Sequence, residues 1–366
     1  MPTATLDAPN SQGFLGHAPI DCDIHPAVPD TKALLPYFDD YWRETILQRG
    51  IDRLSLNLTS YPPNAPLSGR PDWRVQGKRP GSDFDMLKRQ ALDAFGVRYA
   101  ICNVLHAAQV FHSEDMAAAF CKAVNDWLTK ELLDRDPRLR ASILVPTENP
   151  EMAVEEIERR AGDRRFVQVL MWAMNEQPLG RRFYWPIYAA AEKHGLTIGV
   201  HAGSLYRHAP TSIGWGSYYL EDYVLQASAF ESQLLSMVSE GVFAKFPSLK
   251  VVFAESGFTW LPPFMWRANK TWRGVRAEVP WVKVPPAEIV RDHVRFTIQP
   301  IDEPPDGGIL EQIIDQIGSD KVLLFSTDYP HWHFDGMDAL PKNLSRDLVK
   351  KILVDNPLEA YPRLGR

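Results

Sequence analysis

Apolar residues recur along this chain in two alternating spacings. Short runs of apolar, mostly β-type residues cover Ile20–His25, Tyr99–Leu105, Leu139–Val145, Phe166–Met171, Thr197–His201, Lys250–Glu255, Val294–Ile298 and Val322–Asp328, and each predicts a strand. Helical spacing fills the intervals at Asp83–Phe95, Ser113–Arg135, Asn149–Ala161, Arg182–His194, Leu220–Ala244, Trp260–Arg276 and Gly308–Ile317, and Ser345–Val354 closes the chain. Punctuation agrees with these bounds. Asn149 before Pro150 is a cap ahead of a first-turn proline, Lys193-His194-Gly195 is a helix end with glycine at the left-handed position, and Asp136-Pro137 and Phe246-Pro247 stop helices just before strands. Eight strands alternating with helices are the count of a (β/α)8 barrel, an α/β fold of the TIM type.

Two stretches fall outside that alternation. Met1–His17 is polar, with Pro and Gly, and predicts a flexible arm, leaving residues 18–366 as a single barrel domain. Pro26–Ser82 is too long for a simple barrel loop. It holds a possible helix over Thr31–Arg49 and then a Pro-rich segment, which predicts an insertion after the first strand, a lid over about residues 26–82. Pro and Trp also gather at residues 61–80, 207–219, 259–281 and 330–334, and aromatic-rich stretches around a polar centre fit a walled small-molecule pocket.

Charge and composition remove several classes of function. A net charge of -6 with no Lys/Arg stripe argues against nucleic acid as a partner. No apolar run approaches a membrane span, and the N-terminus lacks the pattern of a signal peptide. Cys22, Cys102 and Cys121 are too few and too scattered for a disulfide framework or a Cys-rich zinc site, so a reducing, cytoplasmic setting is expected. There is no Gly-rich phosphate loop after the first strand and no Gly-x-Ser-x-Gly.

Chemistry concentrates at strand ends. The first, fifth, sixth and eighth strands finish in Asp23-Ile24-His25, His201, Glu255 and Asp328, and barrel enzymes place their chemistry at that face. Side-chain alternation puts Asp21, Asp23 and His25 on one face, and likewise pairs Gly199 with His201, Phe253 with Glu255 and Ser326 with Asp328. Asp23, His25, His201 and Asp328 together offer two imidazoles and two carboxylates. That set suits Zn²⁺, the preferred ion, or Mn²⁺, with room for water.

The motifs Asp21-Cys22-Asp23-Ile24-His25, Tyr188-Ala189-Ala190-Ala191-Glu192-Lys193-His194-Gly195 leading into Val200-His201-Ala202-Gly203, Phe325-Ser326-Thr327-Asp328-Tyr329-Pro330-His331, and the ending Asp355-Asn356-Pro357-Leu358-Glu359-Ala360-Tyr361 resemble the amidohydrolase superfamily. Within it they are similar to the branch of aminocarboxymuconate-semialdehyde decarboxylase and γ-resorcylate decarboxylase, from about Ile20 to the C-terminus. The resemblance implies a barrel with one divalent metal and ligands from the first, fifth and eighth strands, at Asp23, His25, His201 and Asp328. The first of these positions is often His or Glu in the family, so Asp23 is a variant. A larger departure lies on the sixth strand, where the decarboxylases carry an acid/base His and this chain carries Glu255. Glu255 there either moves a proton, adds a ligand, or pairs with a buried Arg.

Around this centre, His331 is expected to touch substrate or orient Asp328, whereas His333 reads as a surface-loop histidine. Trp172, Arg207 and Arg53 are the substrate-binding candidates, with His208 and His106 as further residues near the mouth. The preferred reading is a metal-dependent hydrolase opening an amide, ester or lactone through a metal-activated water, with Glu255 as the proton carrier. The alternative is non-oxidative decarboxylation, and a third possibility is a ligand-binding barrel without turnover. The substrate is expected to be small, aromatic or carboxylated, and the protein a homodimer or larger homo-oligomer.

Overall fold

In the computed structural model, the residues described are 14–51, 68–74, 76–205, 208–209, 213–302, 308–331, 333–334 and 336–365, with the Val110 side chain left aside. Eight parallel strands follow one another in chain order: β1 (Ile20–Ile24), β2 (Tyr99–Cys102), β3 (Leu139–Leu144), β4 (Phe166–Met174), β5 (Thr197–Ser204), β6 (Val251–Ala254), β7 (Val294–Thr297) and β8 (Leu323–Leu324). The last strand meets the first through Cys22 N–H to Phe325 O (2.9 Å), Asp328 N–H to Asp23 O (3.0 Å) and His25 N–H to Tyr329 O (2.6 Å), which closes the barrel. The (β/α)8 fold read from the alternation is therefore the fold of the protein.

Two apolar layers hold it. Ala100, Ile143, Val169, Ile198, Phe253 and Phe296 face a core shared with helix residues such as Phe120, Leu128, Ile187 and Phe230. A smaller cluster of Ile20, Cys22, Ile101, Val167, Val252 and Leu324 lies inside the barrel and closes on Ala360, Tyr361 and Leu364 of the C-terminal segment. Local signals place the helices as expected: the Asn149 side chain accepts from Met152 N, and Gly195 takes φ +64° to end its helix. The short helix Asn356–Ala360 and a longer one lie outside the expected set. The longer, Pro286–His293, precedes β7, in a stretch to which the alternation assigned no element, and Pro286 sits in the first turn where its missing N–H costs nothing. The possible helix over Thr31–Arg49 is broken into a 3₁₀ turn (Thr31–Tyr37) and a helix (Asp40–Arg49), because Asp39 caps the second piece from Trp42 N.

The N-terminal arm and the insertion are partly visible. Residues 1–13 lie outside the described residues, whereas Phe14 is buried and packs on Phe95 and Phe325 at 5.4 and 5.5 Å. The described part of the insertion is pinned beside the strand ends. Arg70 N–H donates to Pro330 O, and its guanidinium binds Asp72 and Gly336 O while lying 4.5 Å over Trp73. Gly81 (φ +75°) approaches β1 so closely that a Cβ would lie 2.4 Å from His25 O, so only glycine fits there.

Asp21 bridges the seam, where its carboxylate accepts from Thr327 N (3.0 Å), Thr327 Oγ1 (2.6 Å) and Asp23 N (3.2 Å). The pairing register of β1 slips between Asp21 and Ile24, so the strict alternation predicted for Asp21, Asp23 and His25 does not hold and Asp21 stays with Thr327. Burial pushes the Asp21 carboxyl up to about 7, against the hydrogen bonds that favour its charge. A folded-state value above the unfolded one means the fold favours the protonated acid. Metal-free protein should thus lose stability as pH rises from about 4 towards 7, by at most about 1.4 kcal/mol per pH unit from this group. Asp21→Asn keeps the shape and carries no charge. Its melting temperature in chelator should pull ahead of the parent's between pH 5 and pH 8, and a gap that closes with rising pH would refute the assignment.

Candidate metal centre

The strand ends bring seven ligand-type side chains into one buried basin. β1 supplies Asp23, β5 supplies His201, the residues directly after β1 and β6 are His25 and Glu255, and the segment after β8 brings Asp328, His331 and His333. Ligand atoms of Asp23, His25 and His201 lie within 4.8 Å of one another, as do those of His25, Glu255, Asp328 and His331, so His25 belongs to both sets. His25 Nε2 is 2.7 Å from Asp328 Oδ1 and 3.3 Å from Asp23 Oδ1, and His201 Nε2 is 3.3 Å from Asp23 Oδ2 and 3.6 Å from Glu255 Oε2.

Two carboxylates enter the basin by leaving the strand conformation. Glu255 and Asp328 have φ of +59° and +55°, two of four non-glycine residues in that region among those described. An L-residue there costs about 1–2 kcal/mol. The turn matters because Phe253, expected to share a face with Glu255, packs outward on Phe230 and Phe296 at 5.2 and 5.6 Å. Alternation would therefore have sent Glu255 out with it, and the left-handed residue redirects it.

Backbone carbonyls fix the tautomers. His25 Nδ1 bonds Asn103 O at 2.9 Å and His201 Nδ1 bonds Ala202 O at 2.8 Å. A carbonyl only accepts, so each Nδ1 carries the proton and, in the neutral ring, each Nε2 presents a lone pair. His201 Nε2 and Asp23 Oδ2 are then two buried lone-pair donors 3.3 Å apart, and neither has an aligned hydrogen bond. Something positive must lie between them, a proton or a cation. The titration behaviour agrees. Burial alone would lower His25, but the Asp23 and Asp328 charges outweigh it and lift the imidazole to about 10. Burial opposes the charge on Asp328 as well, yet His331, His25 and His333 hold it well below the usual carboxylate range. A mixed N/O set with no thiolate, short of positive charge, fits a divalent cation.

The remaining candidates divide. Trp172 is buried at the end of β4, level with His201 on β5, with its ring 6.1 Å from the His201 ring and its Nε1 without a hydrogen-bond partner. Arg53 and Arg207 lie outside the described residues. His208 is exposed and bonds Glu176 O, and His106 caps a 3₁₀ turn through Ala108 N, so neither joins the basin. His331 does, with Nδ1 3.0 Å from Asp328 Oδ1 and its ring stacked on His25. The side chain of His333, expected on the surface, is instead withdrawn from solvent, with Nε2 2.7 Å from Asp328 Oδ2 and 3.8 Å from Glu255 Oε1. Tyr223 was not anticipated at all, and its hydroxyl lies 3.2 Å from Glu255 Oε1 and 3.3 Å from His333 Nε2. The His331-x-His333 spacing was the available signal for the first. Tyr223 sits in an ordinary helical pattern and gave none.

Known proteins share this frame. The γ-resorcylate decarboxylase of a Rhizobium species is 24% identical over 273 residues, covering 69% of this chain and 79% of its own. The dihydroxybenzoic acid decarboxylase of a Polaromonas species, solved with manganese and 2-nitroresorcinol, superposes with a TM-score of 0.67 at 18% identity, covering 96% of this chain and 98% of that one. The 5-carboxyvanillate decarboxylase of Novosphingobium aromaticivorans, solved with manganese and 4-hydroxy-3-methoxy-5-nitrobenzoic acid, gives 0.69 at 19% identity over 98% of this chain and 100% of that one. The amidohydrolase family profile matches residues 20–363. That match spans nearly the whole barrel, and this chain belongs to the amidohydrolase family.

Proposed function

We propose that the protein is a metal-dependent, non-oxidative decarboxylase of a small hydroxylated aromatic carboxylate. The observation that carries this is the buried basin in which His25 is shared by two ligand-type sets, with Asp23 and His201 on one side and Asp328, Glu255 and His331 on the other. The relatives' names supply the substrate class, and their manganese moves the preferred ion from Zn²⁺ to Mn²⁺. A bound divalent cation would hold the substrate's oxygens and draw charge away from the ring. The chain's own groups do the rest. Trp172 walls the aromatic ring and offers its indole N–H, and Glu255, held by Tyr223, gives a proton to the ring carbon as the bond to the departing CO₂ breaks. His333, hydrogen-bonded to Tyr223, lies on the route by which that proton is replaced.

Hydrolysis is the second reading, favoured by a carboxylate rather than a histidine at the end of β6. Protein purified without chelator should carry about one Mn or Zn per chain and release CO₂ from dihydroxybenzoates or hydroxylated vanillate-type acids. Cleaved amides or lactones without CO₂ would select hydrolysis, and a chain that takes up no metal would overturn both.

The assembly and setting belong to the same proposal. Leu220, Val224 and Leu235 stand exposed on one helix (Tyr219–Ser239) and Trp266 on another (Leu261–Val275), apolar surface that supports burial against a second copy of this chain. Sedimentation should then give at least a dimer. No helix among the described residues is long and apolar enough to cross a membrane. The three cysteines are buried and unpaired, which supports a reducing compartment. Residues 26–82 are proposed as a lid, anchored through Arg70 to the loop that carries His331.

A further inference from the structure

A line of buried polar side chains crosses the barrel interior from the C-terminal segment to Asp23. Tyr361 OH meets Gln168 Oε1 at 3.1 Å, and Gln168 Nε2 meets Asn103 Oδ1 at 3.1 Å and Ser142 Oγ at 2.8 Å. Ser142 Oγ also bonds Asn103 Oδ1, and Asn103 Nδ2 reaches Asp23 Oδ1 at 2.8 Å. Asn103, Ser142, Gln168 and Tyr361 are all buried.

The carboxylate sets the sense of every link. Asp23 only accepts, so Asn103 must turn its amide nitrogen towards it. Asn103 Oδ1 then needs donors, which makes Gln168 turn Nε2 towards it, and Gln168 Oε1 is left to accept from the Tyr361 hydroxyl. Each donor therefore points at the metal basin. Bonds aligned this way in a low-dielectric interior polarise one another and tighten the last one, on Asp23 Oδ1. With Oδ1 held, Oδ2 is the oxygen that faces His201 Nε2. Asn103 orients a second candidate ligand through its backbone, since its carbonyl fixes the His25 tautomer.

Packing alone does not account for this line. Barrel interiors are ordinarily filled by bulky branched residues, and a buried amide is costly unless every polar atom is satisfied. Here β5 even gives up a side chain to seat the glutamine: a Cβ on Gly199 would lie 2.2 Å from Gln168 Nε2.

We propose that Tyr361, Gln168, Ser142 and Asn103 form a positioning relay that holds the Asp23 carboxylate in metal-binding orientation, so that a residue of the C-terminal motif tunes affinity for the ion. The inference rests on Asp23 being a ligand, as proposed above. The test is the affinity of chelator-stripped protein for Mn²⁺ alone, measured calorimetrically, with the melting temperature of the metal-free form read separately. Gln168→Met keeps the volume and removes the link, and should weaken Mn²⁺ binding by about 10–100-fold, the usual effect of losing an outer partner of a ligand. Tyr361→Phe removes one hydroxyl at the far end while keeping the ring, leaves Gln168 Oε1 without that donor, and should weaken binding by a smaller factor in the same direction. Gly199→Ala displaces Gln168 without deleting it and should resemble Gln168→Met. Parent protein that binds Mn²⁺ while Gln168→Met and Tyr361→Phe bind it equally well would overturn the relay and leave the site intact. Parent protein that binds no Mn²⁺ would overturn the site reading and the relay with it.

Discussion

His201→Ala and Asp328→Ala should each lose the bound ion while remaining folded, and lose turnover with it. The two residues act from opposite sides of the basin. His201 presents Nε2 to Asp23 Oδ2, and Asp328 lies within 3.0 Å of a nitrogen on each of His25, His331 and His333. Loss of an outer partner costs about 10–100-fold in metal affinity, so loss of a ligand should exceed about 100-fold and bring occupancy close to zero at micromolar metal. Elemental analysis and circular dichroism on the same samples check both halves. Full occupancy in both variants would remove the proposed site. The same geometry fixes a pH dependence. In the metal-free protein the carboxylates hold His25 up to about 10 and His333 up to about 9, above the ordinary value near 6.5. A ligand imidazole must be neutral, so a cation displaces protons and binds more tightly as pH rises through this range. Mn²⁺ affinity that falls between pH 6 and pH 9 would contradict this.

The architecture was largely legible in the sequence because it rests on repetition. Each of the eight apolar runs became a strand, and because parallel strands of a barrel all finish at one face, Asp23 and His201 come together on one side of His25 and Asp328 on the other. What failed was local geometry that no period encodes. The β1 register slip takes Asp21 to Thr327 while Asp23 and His25 enter the basin, and left-handed backbone at Glu255 carries that side chain away from the face of Phe253. His333 was hidden because a histidine in a Pro/Trp loop looks solvated until the loop is folded onto Asp328. Tyr223 and Gln168 were hidden for a different reason. Each fits an ordinary pattern, helical for one and strand for the other, and only the neighbour brought against it, Glu255 or Asn103, gives it meaning. Pro286–His293 shows the converse, since prolines that stop a helix interior are welcome in its first turn.

Glu255→Gln should retain the metal and the fold and lose about 10²–10⁴-fold in turnover, the range attributable to a positioned proton carrier. Gln matches the shape of Glu and can still take the Tyr223 hydrogen bond at 3.2 Å, so a loss of rate reports proton movement and not collapse of the pocket. Metal content separates the competing roles. If Glu255 is a ligand, occupancy falls with activity. If it carries the proton, occupancy is unchanged, since Asp23, His25, His201 and Asp328 remain. A second substitution then identifies the chemistry. Glu255→His installs the residue type that the resemblance places at the end of the sixth strand, at φ +59°, where histidine is better tolerated than most side chains. For decarboxylation, an imidazole beside His331 and Tyr223 still delivers a proton to carbon, and CO₂ release should survive at a reduced rate, with its pH optimum displaced towards the imidazole range. Rates equal to the parent's in both variants would remove Glu255 from the reaction and leave His331 and His333 as the groups that move the proton.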